Sequence, residues 1–391
     1  MRKIIFSIIV VVFIAVYTVI NLYVGLRLGA FVNTLLPFLE PVLYWMFFWI
    51  VVYTYIISRV FNQLFPSITI RRAKIVGAYW LALLFYFLIS FIIIDLAILV
   101  TRIFKPNFSL WDNEVFLLWF GILFLTFMSL LIVRGYKNAS QIEINRYNVN
   151  ISKSLSKYDK INIVVISDLH LGTIVDNNML QKFVDEINGL EPDIITILGD
   201  VVDEDVRPFI QQKMEKTFAK LSAKIGIYAV LGNHDYFGGG HAKIIDSLQR
   251  ANIKVLVDEH VNIMDGLIIA GRIDPTGARY CGHAQKPLKS WMNDINFDNP
   301  VILLTHQPTK LEEARKIGVD LQLSGHTHRG QLFPNNFFTS LFFENHWGLR
   351  KKGEFTSIVT SGAGTWGPPI RTGHKAEIVQ ITLNLEDKGE S

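Results

Sequence analysis

The sequence predicts an α/β domain that follows a four-helix transmembrane region. Four long apolar runs occupy the first third of the 391 residues, and the remainder alternates short apolar strands, polar turns and amphipathic helices. In addition, five short segments that follow apolar runs carry Asp, Asn and His side chains. These segments read DLH, GDVVD, GNHD, TH and GHTH.

Composition supports a membrane part before any motif is considered. Hydrophobic residues make up 50% of the chain, which is high for an ordinary soluble protein. The first 136 residues hold ten Lys and Arg against four acids, and the remainder holds 28 bases and 30 acids. The nearly neutral second part lacks a broad basic field, so no nucleic-acid partner is expected. The single cysteine, Cys281, excludes an internal disulfide and a Cys-rich zinc site.

The first apolar run begins after Arg2 and Lys3. Basic residues before an apolar run are also typical of a signal peptide. A signal peptide, however, has an apolar region of about 7–15 residues and then a cleavage site. This run is longer and continues to Asn21, Tyr23 and Arg27, which indicates an uncleaved helix. A membrane helix needs about 20 residues. The predicted spans are about 4–24, 41–58, 75–100 and 115–133.

The basic residues at the ends of these spans are unevenly distributed. Eight lie on one side and three on the other, so the positive-inside rule predicts that both ends of the region, and the domain that follows, are cytoplasmic. Asp95 is an acid inside a span, but it lies near the outer end of a long run. A structural role is therefore favoured over a functional one.

Composition changes within about ten residues of Arg134. We expect a transmembrane region over 1–136, a linker and first strand over 137–159, and a catalytic domain over 160–391. Within that domain the pattern predicts helices at about 177–188, 207–221 and 241–250.

Four of the five polar segments directly follow an apolar run that reads as a buried strand. Ligand sites of α/β sheets lie at the carboxyl ends of strands, so these segments are expected to converge. Carboxylates, imidazoles and an amide suit Mn, Fe, Zn or Ni and not a metal that prefers thiolates. The residues are Asp168, His170, Asp200, Asp203, Asn233, His234, His306, His326 and His328.

The order DxH, GDxxD, GNHD, a lone His and GHxH resembles the calcineurin-like metallophosphoesterases, over about residues 160–383. The runs GHTHRGQLFP and SGAGTWGPPIRTGHKAEIVQITL resemble the bacterial branch whose members are often membrane-attached. The resemblance implies a four-layer α/β/β/α sandwich with two divalent metal ions. It implies that Asp168, His170 and His328 hold the first ion, that Asn233, His306 and His326 hold the second, and that Asp200 bridges them.

Two such ions stabilise the attacking and leaving oxygens of a displacement at phosphorus, and the water between them loses a proton at neutral pH. That hydroxide is the expected nucleophile. By the same resemblance His234 is not a ligand but protonates the leaving oxygen or stabilises the phosphoryl group, and Asp203 hydrogen-bonds it. Glu204 stands where protein phosphatases of this superfamily have an Arg, which makes a phosphoprotein substrate less expected.

Other residues remain open. Arg329 and Arg371 are candidates for binding substrate phosphate, although Arg329 could equally face solvent. The aromatic residues between Phe333 and Trp347 either pack under a loop, which is favoured, or contact lipid. Cys281 and His283 are expected not to be ligands.

We therefore expect a membrane-anchored phosphoesterase in a bacterial plasma membrane, hydrolysing a phosphomonoester, phosphodiester or pyrophosphate. Attachment to the bilayer favours a lipid-linked substrate. The alternative is a non-catalytic sensor or scaffold that retains the fold; the complete set of ligand positions argues against it.

Overall fold

A computed structural model describes residues 2–61, 67–105, 113–155, 158–264 and 266–385. The chain divides into two compact units, Met1–Val133 and Arg134–Ser391.

Four helices of the first unit are long and apolar enough to cross a membrane. The shortest has 20 residues and the longest 38, and about 20 are needed. Each predicted span lies inside one helix, and the helices are longer because helical hydrogen bonding continues past the apolar run. The helices are α1 (Arg2–Leu35), α2 (Pro41–Val60), α3 (Ser67–Phe104) and α4 (Glu114–Ser140).

Asp95 of α3 is paired within this unit. Its Oδ2 accepts hydrogen bonds from Tyr23 Oη and Arg27 Nη2 of α1, both at 2.7 Å. The acid therefore links two helices, which agrees with the expected structural role.

Two six-stranded sheets form the second unit. The strands are β1 (Ile142–Ile151), β2 (Lys160–Ile166), β3 (Ile194–Leu198), β4 (Gly226–Val230), β5 (Lys254–Val255), β6 (Glu259–Ile263), β7 (Leu267–Gly271), β8 (Val301–Leu304), β9 (Leu321–Ser324), β10 (Gly348–Lys352), β11 (Phe355–Val359) and β12 (Ala376–Leu385). The strand orders are β1-β12-β2-β3-β4-β5 and β10-β11-β9-β8-β7-β6.

Helices connect the strands or follow them. They are α5 (Asn177–Gly189), α6 (Val206–Gln211), α7 (Met214–Phe218), α8 (Asn233–Phe237), α9 (His241–Arg250), α10 (Pro275–Tyr280), α11 (Leu311–Ile317) and α12 (Asn335–Phe342), with 3₁₀ turns at Leu288–Ser290 and His328–Gly330.

The alternation of side chains along β2 shows how the layers form. Ile163 and Val165 point into a core shared by the two sheets, whereas Val164 and Ile166 pack against the helices α5, α7 and α9. Successive side chains of a strand face opposite sides, so a strand that is apolar throughout must be covered on both faces. On the far side, α11 covers the second sheet. The result is the expected four-layer α/β/β/α sandwich.

Two local expectations differ from the structure. The helix expected at 207–221 is two helices, α6 and α7, because Lys213 between them has a φ of 53°, which no right-handed helix accommodates. The linker expected before the first strand is largely helical, since α4 ends at Ser140 and β1 begins at Ile142.

Candidate metal centre

The polar segments lie at one edge of the sandwich, where both sheets contribute. Asp168, Asp200 and Asn233 follow the neighbouring parallel strands β2, β3 and β4 of the first sheet. His306 and His326 follow the neighbouring parallel strands β8 and β9 of the second. The structure thus brings together all seven side chains proposed as ligands, and their role as ligands stays a prediction.

Hydrogen bonds fasten the two sheets to each other at this edge. The backbone N–H of His326 donates to Asp168 Oδ2 at 3.0 Å, and Nδ1 of His306 donates to the carbonyl of Leu198 at 2.8 Å. The second bond turns Nε2 of His306 toward the site, which is how ligating imidazoles are usually oriented.

Five of these residues have left-handed backbone conformations that side chains rarely adopt. Their φ angles are 54° for Asp168, 47° for His170, 49° for Asp200, 72° for His326 and 47° for His328. Such conformations cost about 1–3 kcal/mol each and cluster at functional sites. Five of the fourteen described non-glycine residues with positive φ are therefore among the proposed ligands.

Glycines let the backbone approach the two central carboxylates. A Cβ at Gly232 would collide with the carboxylate of Asp200, and a Cβ at Gly325 would collide with that of Asp168 and with Ser167. These contacts explain why the GNHD and GHTH segments begin with glycine.

The donor atoms form two adjoining groups. In the first, Nε2 of His170 lies 3.1 Å from Nε2 of His328, which is 3.4 Å from Oδ1 of Asp168. The second group consists of His306, Asn233 and His326. Within it, Nε2 of His306 lies 3.0 Å from Oδ1 of Asn233 and 3.1 Å from Nδ1 of His326. Oxygen and imidazole donors that converge in a buried place fit divalent transition metals.

Asp200 lies between the groups. Its Oδ2 is 3.3 Å from Nε2 of His306 and 3.7 Å from Nε2 of His170. Its Oδ1 accepts the backbone N–H of His234 at 2.8 Å. One oxygen is therefore fixed by the protein while the other faces both groups.

Three imidazoles of the site are held in their neutral form. Burial lowers the pKa of His170 to about 3 and the pKa of His326 to about 3, and it holds the pKa of His328 well below its usual value. Neutral imidazole is the form that binds a metal ion.

The charge balance around Asp200 favours a cation. Burial opposes its ionisation, but the imidazoles of His306 and His170 outweigh that cost and hold the pKa of Asp200 well below its usual range. Burial would likewise lower the pKa of His306, yet the carboxylates of Asp200 and Asp168 raise it to about 10. Burial raises the pKa of Asp168 to about 6. Positive charge is thus strongly attracted to this position.

His234 lies beside the donor groups, with its ring 4.9 Å from the ring of His170. Asp203 has a carboxylate oxygen within 4.8 Å of ligand atoms of both histidines, so the proposed pair of Asp203 and His234 is within reach and stays a prediction. Glu204 also approaches, with Oε1 3.8 Å from Nδ1 of His234. Sequence reasoning placed Asp203 beside His234 and did not predict that Glu204 also approaches it.

Asp235 is a buried residue of the site that sequence reasoning missed. Its carboxylate accepts the backbone N–H groups of Gly232 at 2.8 Å, Val202 at 2.9 Å and Val201 at 3.3 Å. It therefore ties the GNHD loop to the GDVVD loop. Burial, with the charge of Asp200, raises the pKa of Asp235 to about 7. The sequence feature that could have identified Asp235 is its position as the last residue of the GNHD segment.

The two arginines proposed to bind substrate differ. The guanidinium of Arg371 is fully buried, and it donates to the carbonyls of Ser361, Gly362 and Gly364. These contacts support a structural role for Arg371 and leave it no open face toward a substrate. The guanidinium of Arg329 lies over the ring of Trp347, 3.5 Å from its centroid, next to His328.

The two residues expected not to be ligands lie apart from the donor groups. Cys281 is exposed at the end of α10, and Nδ1 of His283 contacts the carbonyl of Ala284. Among the described residues, neither belongs to a group of converging donors.

The protein has two stacked sheets, and His, Asp and Asn donor atoms meet at the strand ends of both. These features define an α/β protein with a candidate metal-binding site. The family model for calcineurin-like phosphoesterases matches residues 161–330. A metallophosphoesterase of Aquifex aeolicus is 33% identical over 245 residues, which are 62% of this chain and 92% of that protein. The chain belongs to the calcineurin-like phosphoesterase family, which confirms the resemblance seen in the sequence.

Two further relatives match, and one of them is named as a transmembrane protein. A transmembrane protein with metallophosphoesterase domain from Danio rerio is 32% identical over 277 residues, or 67% of this chain and 62% of that protein. A metallophosphoesterase of Campylobacter jejuni is 36% identical over 234 residues, 58% of this chain and 60% of that protein. The chain thus spans about 60% of the length of these two relatives. With four candidate membrane helices, it is a membrane protein.

Proposed function

We propose that this chain is a membrane-embedded hydrolase of phosphoesters that depends on two divalent metal ions. The observation that carries the proposal is the position of Asp200, whose Oδ2 lies within 3.7 Å of imidazole nitrogens of both donor groups. Asp168, His170 and His328 would hold one ion, Asn233, His306 and His326 the other, and Asp200 both. The bound ions would supply positive charge that polarises a phosphoryl group and makes water more acidic.

The chain's own residues supply the rest of the reaction. Because His234 lies at the edge of the donor groups, it is placed to hydrogen-bond a phosphoryl oxygen or to give a proton to the leaving oxygen. Its Nδ1 lies 3.8 Å from Oε1 of Glu204, and a carboxylate oxygen of Asp203 is also within 4.8 Å of a ring nitrogen of His234. Phe237 and Trp366 have rings 5.1 and 5.9 Å from that of His234 and narrow the access of water on that side.

The substrate class is inferred from the attachment to a membrane and from the two aromatic residues beside His234. Phe237 and Trp366 are each 55% exposed, so the wall beside His234 is apolar. Such a wall suits a phosphoester that carries an apolar group. We propose a lipid-linked phosphoester, a monoester, a diester or a pyrophosphate, as the substrate.

Metal content and hydrolysis test the reaction class. The purified protein of 391 residues should contain close to two transition-metal ions per chain and hydrolyse p-nitrophenyl phosphate or bis(p-nitrophenyl) phosphate. A chelator should abolish this activity and added metal should restore it. Absence of chelator-sensitive hydrolysis of both compounds would overturn the proposal and favour the scaffold alternative.

The membrane side has its own test. The basic residues at the helix ends favour a cytoplasmic catalytic unit, in a bacterial plasma membrane. Cys281 is exposed and is the single cysteine of the sequence. In intact cells it should therefore react with a membrane-permeant maleimide and resist an impermeant one; equal labelling by both would place the unit outside.

A further inference from the structure

The helix α12 exposes an apolar face beside the metal centre. None of its residues is buried. Phe337, Phe338, Leu341 and Phe342 are 59%, 56%, 79% and 80% exposed. They are spaced as i, i+1, i+4 and i+5, which places them on one side of a helix. Within α12 the aromatic side chains therefore do not pack under a loop, which differs from the expectation for this stretch.

The helix α12 and its flanking residues pack against segments that carry residues of the site. A Cβ at Gly330 would collide with the backbone of Asn336, so α12 packs closely onto the turn that carries His328. The N–H of Phe333 donates to Oγ1 of Thr372 at 2.8 Å. At the other end, the ring of Phe343 lies 5.9 Å from that of His326. A body that covers α12 would thus lie next to the donor groups.

The exposed face of α12 carries no acidic side chain that would repel an anionic surface. Residues 321–343 contain no Asp or Glu. The nearest acid in the sequence, Glu344, is paired with Arg350 and Lys352 of β10, and Lys352 also lies 3.8 Å from Glu312. A large aromatic patch beside basic side chains is typical of surfaces that bind the headgroup region of an anionic bilayer.

We propose that α12 is a membrane-docking helix, with Phe337, Phe338, Leu341 and Phe342 inserted into the boundary between lipid headgroups and acyl chains. The bilayer is the occupant that the chain itself favours, because the protein is held in a membrane by its own apolar helices. Docking of α12 would keep the mouth of the metal centre at the lipid surface.

Depth measurement on the full chain tests the proposal without measuring turnover. Cys281→Ser gives a protein without cysteine, and Phe342→Cys then carries a nitroxide label. Ile210→Cys is the matched control, because Ile210 is an exposed apolar residue of the same unit, at 45%. The protein is reconstituted in nanodiscs of phosphatidylcholine and phosphatidylglycerol, with one chain per disc to exclude contact between copies.

The label at position 342 should collide more often with oxygen than with a nickel chelate, as expected inside a bilayer, and the label at 210 should show the reverse. Equal nickel accessibility at 342 and 210 would overturn the proposal. Shielding of the label at 342 from both oxygen and the nickel chelate, in detergent as well as in nanodiscs, would also overturn the proposal. That result would indicate that a protein partner covers the helix.

A second variant tests the role of the aromatic rings. With the label on Leu341→Cys, the substitutions Phe338→Ser and Phe342→Ser should return the label to water. Because both rings are largely exposed, the unfolding temperature in detergent should stay unchanged. A lowered unfolding temperature with an unchanged label depth would show that the rings stabilise the fold and do not dock it.

Discussion

Asp200→Asn is the most informative substitution at the metal centre. The amide has the shape of the carboxylate and retains an oxygen to accept the N–H of His234, now at 2.8 Å. The fold should therefore persist. What disappears is one negative charge between the two donor groups.

The size of the effect follows from the geometry. Oδ2 of Asp200 lies 3.3 and 3.7 Å from the nearest imidazole nitrogens, so a cation among these donors would be within about 4 Å. At an effective dielectric constant of about 20, a unit charge and a divalent cation at that distance attract by about 8 kcal/mol. If the smaller desolvation cost of the amide offsets half of this, about 4 kcal/mol remains, which is nearly three orders of magnitude in Kd.

Metal titration of the detergent-solubilised protein by calorimetry, with elemental analysis, measures this loss. Asp246→Asn is the matched control, because that carboxylate is 63% exposed and pairs with Arg250 far from the donor groups. Hydrolysis of bis(p-nitrophenyl) phosphate should fall with metal content in Asp200→Asn and stay unchanged in Asp246→Asn. Two tightly bound ions and retained turnover in Asp200→Asn would refute the bridging role.

Three further predictions concern neighbouring residues. His234→Ala should retain its metal content but lower kcat by about 10²–10⁴-fold, as measured by elemental analysis and steady-state kinetics; loss of metal instead would make His234 a ligand. With its pKa raised to about 10, His306 is protonated at neutral pH and must lose that proton to bind a metal. Apparent affinity should therefore rise with pH, up to about tenfold per unit between pH 7 and 9, and calorimetry in buffers of different ionisation enthalpy should detect one proton released; a pH-independent affinity would contradict this. Asp235→Ala leaves buried N–H groups without an acceptor and should destabilise the catalytic unit by about 3 kcal/mol, seen as a lower unfolding temperature, whereas unchanged stability would mean that water replaces the carboxylate.

Much of the fold was predictable because its central strands, such as β3, β7 and β8, are mostly apolar and fully buried. The run from Ile161 to Ile166 indicated a strand covered on both faces, and the structure places it between helices and a second sheet. The break at Lys213 was not predictable, since its neighbours are compatible with a continuous helix. Exposure of α12 was not predictable either, because an aromatic stretch has the same pattern whether it is covered by protein or by lipid.

The candidate site, like the fold, was predictable only in part. The polar segments that follow apolar runs predicted that their side chains converge, and the structure brings them together around Asp200. The sequence did not reveal that Asp235 holds two loops together through three backbone N–H groups. Nor did it separate Arg329 from Arg371, because only the fold decides which guanidinium is enclosed by carbonyl groups.

By itself the sequence determined the family to which this protein belongs and the presence of its apolar membrane helices. Both follow from local properties, namely the types of donor residues after each strand and the length of each apolar run. The tertiary structure decided that donors from two sheets meet around Asp200, that Arg371 is enclosed, and that the aromatic face of α12 stays uncovered beside the site. These are contacts between residues as much as 158 positions apart, such as Asp168 and His326, and they depend on how the sheets stack.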